Sequence, residues 1–309
     1  MIAATETLET RRTTASGGGR AVWDVARWEL GRLLASRSTW ALAAGAELFF
    51  VALLLVKHSW VLPVSDASGS SGAITVVGSS AVGMLSEVVF VALLLFGMCL
   101  PFVAADGVAR DYRQRVHELL MATPVPGWAY VVGRYLAGLL LGLALSGELL
   151  AAVYIVDALV GRRGGYPAPE LATLLAVWAL TVLPAMVLLV SLSFALGTLW
   201  PRLANVMKLV VLIAWIGIFV VGSSHLPSWY HRWDPTSYSL AAAGQSLVHQ
   251  RYTQIVSGGS GPEAAFLAAQ SRLPAFEPYV LPHLGLVALG LACVAVAAVG
   301  FRRYRDVLA

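Results

Sequence analysis

Six apolar stretches, at 40–56, 81–105, 129–156, 171–199, 203–222 and 280–300, constrain the fold of this chain more than any other feature. Each is long enough to cross a hydrocarbon core about 30 Å thick, which takes roughly 20 helical residues. The runs are continuous rather than alternating, so they predict helices and not barrel strands. The stretch at 171–199 carries no charge, 203–222 has Lys208 near its start, and 280–300 has His283 close to its beginning. Only 12% of the 309 residues are charged and 58% are hydrophobic, where a soluble domain has about 25% charged residues. Too few solvated side chains remain to cover a globule, which excludes a soluble enzyme and a disordered or collagen-like chain. The two cysteines, Cys99 and Cys293, both fall inside apolar stretches and build no disulfide framework. The expectation is an all-α integral membrane protein with six transmembrane helices in one domain over 21–309, preceded by a disordered tail at 1–20. The longest segment between spans, 223–279, leaves no room for a further soluble domain.

Orientation follows from the basic residues. An even number of spans puts both termini on one side, and that side collects fifteen of the 21 Lys and Arg residues. Six others, Lys57, Arg162, Arg163, Arg232, Arg251 and Arg272, fall opposite. Both termini are therefore expected in the cytoplasm, with the chain in the cytoplasmic membrane. Arg11-Arg12 is not read as a twin-arginine signal, because the next apolar run begins only at Trp40.

Two segments outside the spans are amphipathic. Over 21–37, Val22, Ala26, Leu30, Leu33 and Leu34 fall on one helical face, with Asp24, Arg27, Glu29, Arg32 and Arg37 elsewhere. With Trp23 and Trp28 at headgroup depth, this reads as an elbow helix lying in the membrane interface. A plain juxtamembrane extension is the alternative. Over 107–123, Val108, Tyr112, Val116, Leu119 and Leu120 form an apolar stripe on a strongly charged helix that ends at Thr123-Pro124. Such a helix serves either as a docking knob for a cytoplasmic partner or as a solvated loop helix.

The stretch DYRQRVHELLMATPVPGWAYVVGRYLAG, residues 111–138, resembles the region between the second and third spans of ABC-2 type transporter permeases. The resemblance rests on Glu118-Leu119-Leu120, Thr123-Pro124-Val125, Tyr130, Gly133 and Arg134, together with the layout of elbow, six spans and long outer segment. The chain departs from the pattern at Arg115, where many members carry glycine. The resemblance implies a permease subunit of an ATP-driven exporter (an efflux system), with the helix at 107–123 coupling to a separate ABC ATPase subunit. Tyr112 and Leu119 through packing, and Arg113 and Glu118 through charge pairing, are the implied coupling residues. It further implies two ATPase copies carrying ATP and Mg, and a second permease copy or a homologous permease. The expected cargo is an amphipathic or hydrophobic small molecule of drug or antibiotic type.

The chemistry absent from the chain agrees with a transport subunit. Neither of its two lysines, Lys57 followed by His58 and Lys208 followed by Leu209, fits the G-x-x-x-x-G-K-[ST] phosphate loop. No catalytic residue, metal site, cofactor or nucleic-acid partner is expected on this chain. His117-Glu118 begins a zinc-protease pattern, but Met121 stands where the second histidine belongs. The serines in Gly69-Ser70-Ser71-Gly72 and Gly258-Gly259-Ser260-Gly261 sit in polar loops, where no buried nucleophile is held. His225, His231, Asp234 and His249 are too irregularly spaced to predict a metal centre.

Acidic residues inside spans are costly, roughly 2.5–3.5 kcal/mol at the bilayer centre on insertion scales, so they face protein or a wet cavity. Glu47, Glu87 and Glu148 are accordingly candidates for a polar pathway or a cation-binding position, with protonated or hydrogen-bonded helix contacts as the alternative. They also open a second functional reading, a proton-coupled secondary transporter or channel; a non-transporting scaffold is the third. No basic side chain is expected deep enough to neutralise them. Gly138, Gly142 and Ser146 line one helical face with small residues and predict close helix packing. Pro184 predicts either a kink or an opened carbonyl in the fourth span.

Overall fold

The structure, a computed structural model, describes residues 2–65, 71–104, 106–113, 125–161, 170–222, 230–257, 270 and 276–308. It contains six helices long and apolar enough to cross a membrane, Arg37–Val56, Ala81–Asp111, Gly127–Val160, Leu171–Leu199, Pro201–Val220 and Glu277–Phe301. This is a multi-pass helical architecture, as the apolar runs require.

Helix α1 spans Ile2–Leu34 and α2 spans Arg37–Val56. α1 thus begins upstream of the boundary expected at Ala21, through residues such as Ala3, Ala4, Leu8 and Arg11 that tolerate helix well. A short break at Ala35-Ser36 turns the chain into α2, where Trp40 Nε1 donates to Leu34 O at 2.7 Å and ties the two helices. A hairpin follows: β1 (Ser59–Ser65) pairs antiparallel with β2 (Ser71–Val77), with Ser59 opposite Val77 and Trp60 opposite Val76. No strand was expected here. The alternation is brief and sits beside much stronger helical signals, so hydropathy reads the segment as loop.

Helix α3, residues 81–104, runs through Ala81–Gly83, a π-helical turn at Met84–Val88 and Val89–Ala104. Ser80 caps it, accepting from Gly83 N at 3.0 Å. α4 is Asp106–Arg113 and α5 is Gly127–Val156, continued by a π-helical turn at Asp157–Gly161. α6 is Leu171–Leu199 with a π-helical turn at Trp178–Val182. α7 is Ala204–Gly222, α8 is Tyr238–Ser257 and α9 is Glu277–Leu308.

α6 is the central element, packed along α9 and against α3, α5 and α7, while α1 and α2 both lie on α5. In lipid there is little hydrophobic drive between helices, so van der Waals fit and hydrogen bonds select the contacts. Trp215 on α7 supplies both. Its ring lies so close against Gly97 of α3 that a Cβ there would overlap the indole, and its Nε1 donates to Leu93 O at 3.0 Å. Phe301 near the end of α9 stacks on Tyr130 near the start of α5, with ring centroids 5.7 Å apart. The end of α9, the start of α5 and the C-terminal half of α1 therefore share one end of the bundle.

Pro184 opens a carbonyl rather than merely bending α6. It has no N–H to give Leu180 O, and the π-helical turn before it routes Leu183 N to Trp178 O. His283 of α9 takes up the freed carbonyl, with Nδ1 2.5 Å from Leu180 O. A carbonyl only accepts, so Nδ1 carries the proton.

Candidate functional site

Tyr130, Gly133 and Arg134, close together near the start of α5, meet at one junction in the structure. At Gly133 the backbone of α1 approaches α5 so closely that a Cβ would lie 2.7 Å from Val22 O and 2.7 Å from the Val25 Cβ. That approach carries Glu29 of α1 to Arg134 of α5, with Arg134 Nη1 2.5 Å from Glu29 Oε2. Arg134 Nη2 donates to Asp111 Oδ2 of α4, and Tyr130 OH donates to the same oxygen. Arg32, one turn after Glu29, pairs with it through Nε at 3.0 Å and through Nη2. The Trp28 and Tyr130 rings flank the Arg134 guanidinium at 5.1 and 5.2 Å.

Glu29, Asp111 and Arg134 are 3%, 7% and 2% exposed, so the network is buried even though Glu29 and Asp111 were expected on polar faces. Two guanidinium groups balance two carboxylates, and one donor, Arg134 Nε, has no partner. Burial of Glu29 was not legible from α1 alone. Its face is polar by composition, and only the partner on α5, distant in sequence, makes that face an interior one. The signal was present in Arg134 itself, a lone arginine opening an apolar helix above a glycine.

Of the expected coupling residues, Tyr112 and Arg113 form the last two positions of α4, directly after Asp111. Glu118 and Leu119 lie outside the described residues, as does most of the helix expected at 107–123. α4 itself is anchored by Val108, Ala109 and Asp111, all buried, and packs on α6 and α5.

The three candidate pathway acids separate into a pair and a single residue. Glu87 lies in the π-helical turn of α3, where Lys57 Nζ reaches its Oε2 at 3.0 Å. The expectation that no base meets these acids is corrected here. Lys57 belongs to the loop in linear sequence, but it follows the last turn of α2 and its long side chain folds back to the neighbouring helix. Glu47 of α2 and Glu148 of α5 lie within electrostatic reach of each other on packed helices. Glu47 Oε1 and Glu148 Oε2 are both buried without a hydrogen-bond partner.

The small-residue face of α5 is used in part. A Cβ on Gly142 would meet Val190 and Met186 of α6 at 3.2 and 3.4 Å, and Ser146 is fully buried with its carbonyl accepting from Trp178 Nε1 at 3.2 Å. Gly138, one turn earlier, faces open space, with no atom within 4 Å of an added Cβ.

Elsewhere in the bundle, Gln270 is 1% exposed, binds β2 and accepts from Oγ of Ser80, the cap of α3, at 3.4 Å. Its Oε1 accepts from Val77 N at 2.9 Å, and its Nε2 donates to Thr75 O at 2.7 Å. Asp234, weighed above as a metal ligand, spends its carboxylate on Thr236 N, Thr236 Oγ1 and Ser239 N ahead of α8. His225 lies outside the described residues. Among the described residues no three His, Cys, Asp or Glu side chains group as metal ligands. No protein-family model and no curated protein matches the chain.

Proposed function

We propose that this chain is the permease subunit of an ATP-driven exporter, with ATP and Mg bound by two copies of a separate ABC ATPase. It pairs with a second copy of itself or a homologous permease and moves an amphipathic or hydrophobic small molecule of drug or antibiotic type out across the cytoplasmic membrane. Both termini face the cytoplasm in this reading. α1 is the elbow helix, and the segment that begins with α4 is the coupling helix, through Tyr112, Arg113, Glu118 and Leu119.

The observation that supports it best is the buried Glu29–Arg134–Asp111 network. A charged segment that only bridged two spans needs no internal attachment, whereas one that transmits force must be fixed to the helices it moves. Here Asp111 of α4 is bonded to Arg134 of α5, which is bonded in turn to Glu29 of α1, by charge-assisted hydrogen bonds roughly twice as strong as neutral ones. Displacement of α4 is passed to α5 and α1 together.

Affinity purification from the native membrane tests this reading. An ATPase subunit is expected to accompany the chain, and the double variant Arg113→Glu, Glu118→Arg is expected to lose it while the membrane domain stays folded. Solute movement that continues without nucleotide and stops when the proton gradient is collapsed would overturn the proposal. That outcome would favour the second reading, proton-coupled transport, which the unpartnered oxygens of Glu47 and Glu148 support. Under it, Glu47→Gln and Glu148→Gln each abolish transport; under the first, transport persists in both.

A further inference from the structure

A cleft of about 440 Å³ opens between α1, α2 and α3, beside the break where α1 gives way to α2. The volume lies within the range of about 300–1,000 Å³ typical of small-molecule sites. Its lining is of two kinds. Arg32, Ser36, Ser38, Thr39 and Arg110 make a polar part, here called the mouth, and Leu42, Met98, Phe102 and Leu141 make an apolar part. Phe50 and Phe96, with ring centroids 5.5 Å apart, close the space between α2 and α3 deeper in the bundle. Met98 and Phe102 are 48% and 45% exposed, so the cleft is open sideways on the face that meets acyl chains.

The mouth is suited to an anion. Arg32 engages Glu29 through Nε and Nη2, and the planar guanidinium keeps both N–H donors of Nη1 for a further acceptor. The first residues of α2 line the same mouth; the Ser36 hydroxyl pairs with Ser38 Oγ at 2.6 Å and caps none of their backbone N–H groups. The positive end of that helix therefore adds to the two guanidinium groups. Behind Phe102, the Lys208 ammonium lies 5.9 Å from the ring. Two guanidinium groups beside apolar, half-exposed helix surface match a phosphate head joined to a hydrocarbon tail.

We infer that this cleft binds one anionic phospholipid of the adjacent leaflet, its phosphate at Arg32 and Arg110 and one acyl chain along Met98, Phe102 and Leu42. The second chain stays in the bilayer through the open side. The site requires only that the helices span a membrane, so it stands whether or not an ATPase partner exists.

Cys99 lines the cleft and Cys293 lies on α9, which supplies both a probe and a control. The full-length Cys293→Ser protein is placed in nanodiscs of phosphatidylcholine alone, or with phosphatidylglycerol added, and Cys99 is labelled with a membrane-permeant maleimide. Phosphatidylglycerol is expected to slow labelling roughly fivefold, the protection given by a ligand at about four times its dissociation constant. Protection is expected to disappear in the Arg32→Gln, Arg110→Gln variant. Equal rates in the two lipid compositions overturn the inference. So does equal slowing of Cys293 in the Cys99→Ser protein, which marks a bulk membrane effect. Full protection by inorganic phosphate without phosphatidylglycerol also overturns it, by assigning the mouth to a free anion.

Discussion

Arg134 shows how one side chain changes the meaning of its surroundings. A buried carboxylate is costly unless it is paired, and removing one member of a buried ion network leaves the others uncompensated, at about 3–5 kcal/mol. Arg134→Gln strands Glu29 and Asp111 and is expected to lower stability by that amount, read as the thermal unfolding midpoint in detergent. Arg134→Lys recovers only part of it, because a point-like ammonium does not serve two carboxylates in fork geometry. A loss below about 0.5 kcal/mol, the level of an ordinary surface change, would show the network to be solvated rather than buried. Glu87 sets the contrast. Its pair with Lys57 is about one-third exposed on each side, so Glu87→Gln is expected to cost no more than about 1 kcal/mol by the same measurement. All these residues stand out in the sequence as charges in or beside apolar runs. Which of them pair, and which are left as the Glu47–Glu148 couple, depends on helix neighbours far apart in the chain.

Among the elements, α6 and α1 carry the clearest consequences. Pro184 leaves Leu180 O open and His283 closes it, so the two residues act as one unit. His283→Phe is expected to cost about 1–3 kcal/mol by leaving a buried carbonyl unsatisfied. The same change is expected to cost much less in a Pro184→Ala background, where the restored amide can serve Leu180 O. A double-mutant cycle on unfolding free energies measures the coupling, and additive costs would separate the two residues. For α1, docking depends on the missing side chain of Gly133. Gly133→Leu is expected to lift the helix from α5 and to speed tryptic cleavage at Arg20 and Arg27 several-fold, with unchanged proteolysis arguing against the contact. The amphipathic period announced a helix over 21–37; in the structure it ends at Leu34 and starts far upstream, at Ile2, running through the glycines at 17–19. The hydrophobic stripe did not reveal the docked face, because Glu29 belongs to that face only in the presence of Arg134. The hairpin at Ser59–Val77 was missed for a related reason: its strands are seven residues each, too short to compete with the long runs around them.

For the whole molecule, the proposed orientation, with both termini in the cytoplasm, rests on six helices of membrane length and on the distribution of Lys and Arg. A C-terminal alkaline phosphatase fusion is expected to be inactive and a C-terminal green fluorescent protein fusion bright, as for a cytoplasmic end; the reverse pattern would invert every assignment of inner and outer segments. The number and approximate place of the membrane-length helices were set by the sequence alone, with ends that differ by up to six residues, because a bilayer imposes a length and a polarity that any crossing helix must satisfy regardless of its neighbours. Tertiary structure decided the rest. Gly142 packs and Gly138 does not, Glu87 meets Lys57, and a cleft lined by Arg32 and Phe102 opens between helices. Those outcomes turn on which helix lies beside which, and pairing between helices comes from close fit and hydrogen bonds across the bundle, which leave no periodic trace in a single segment.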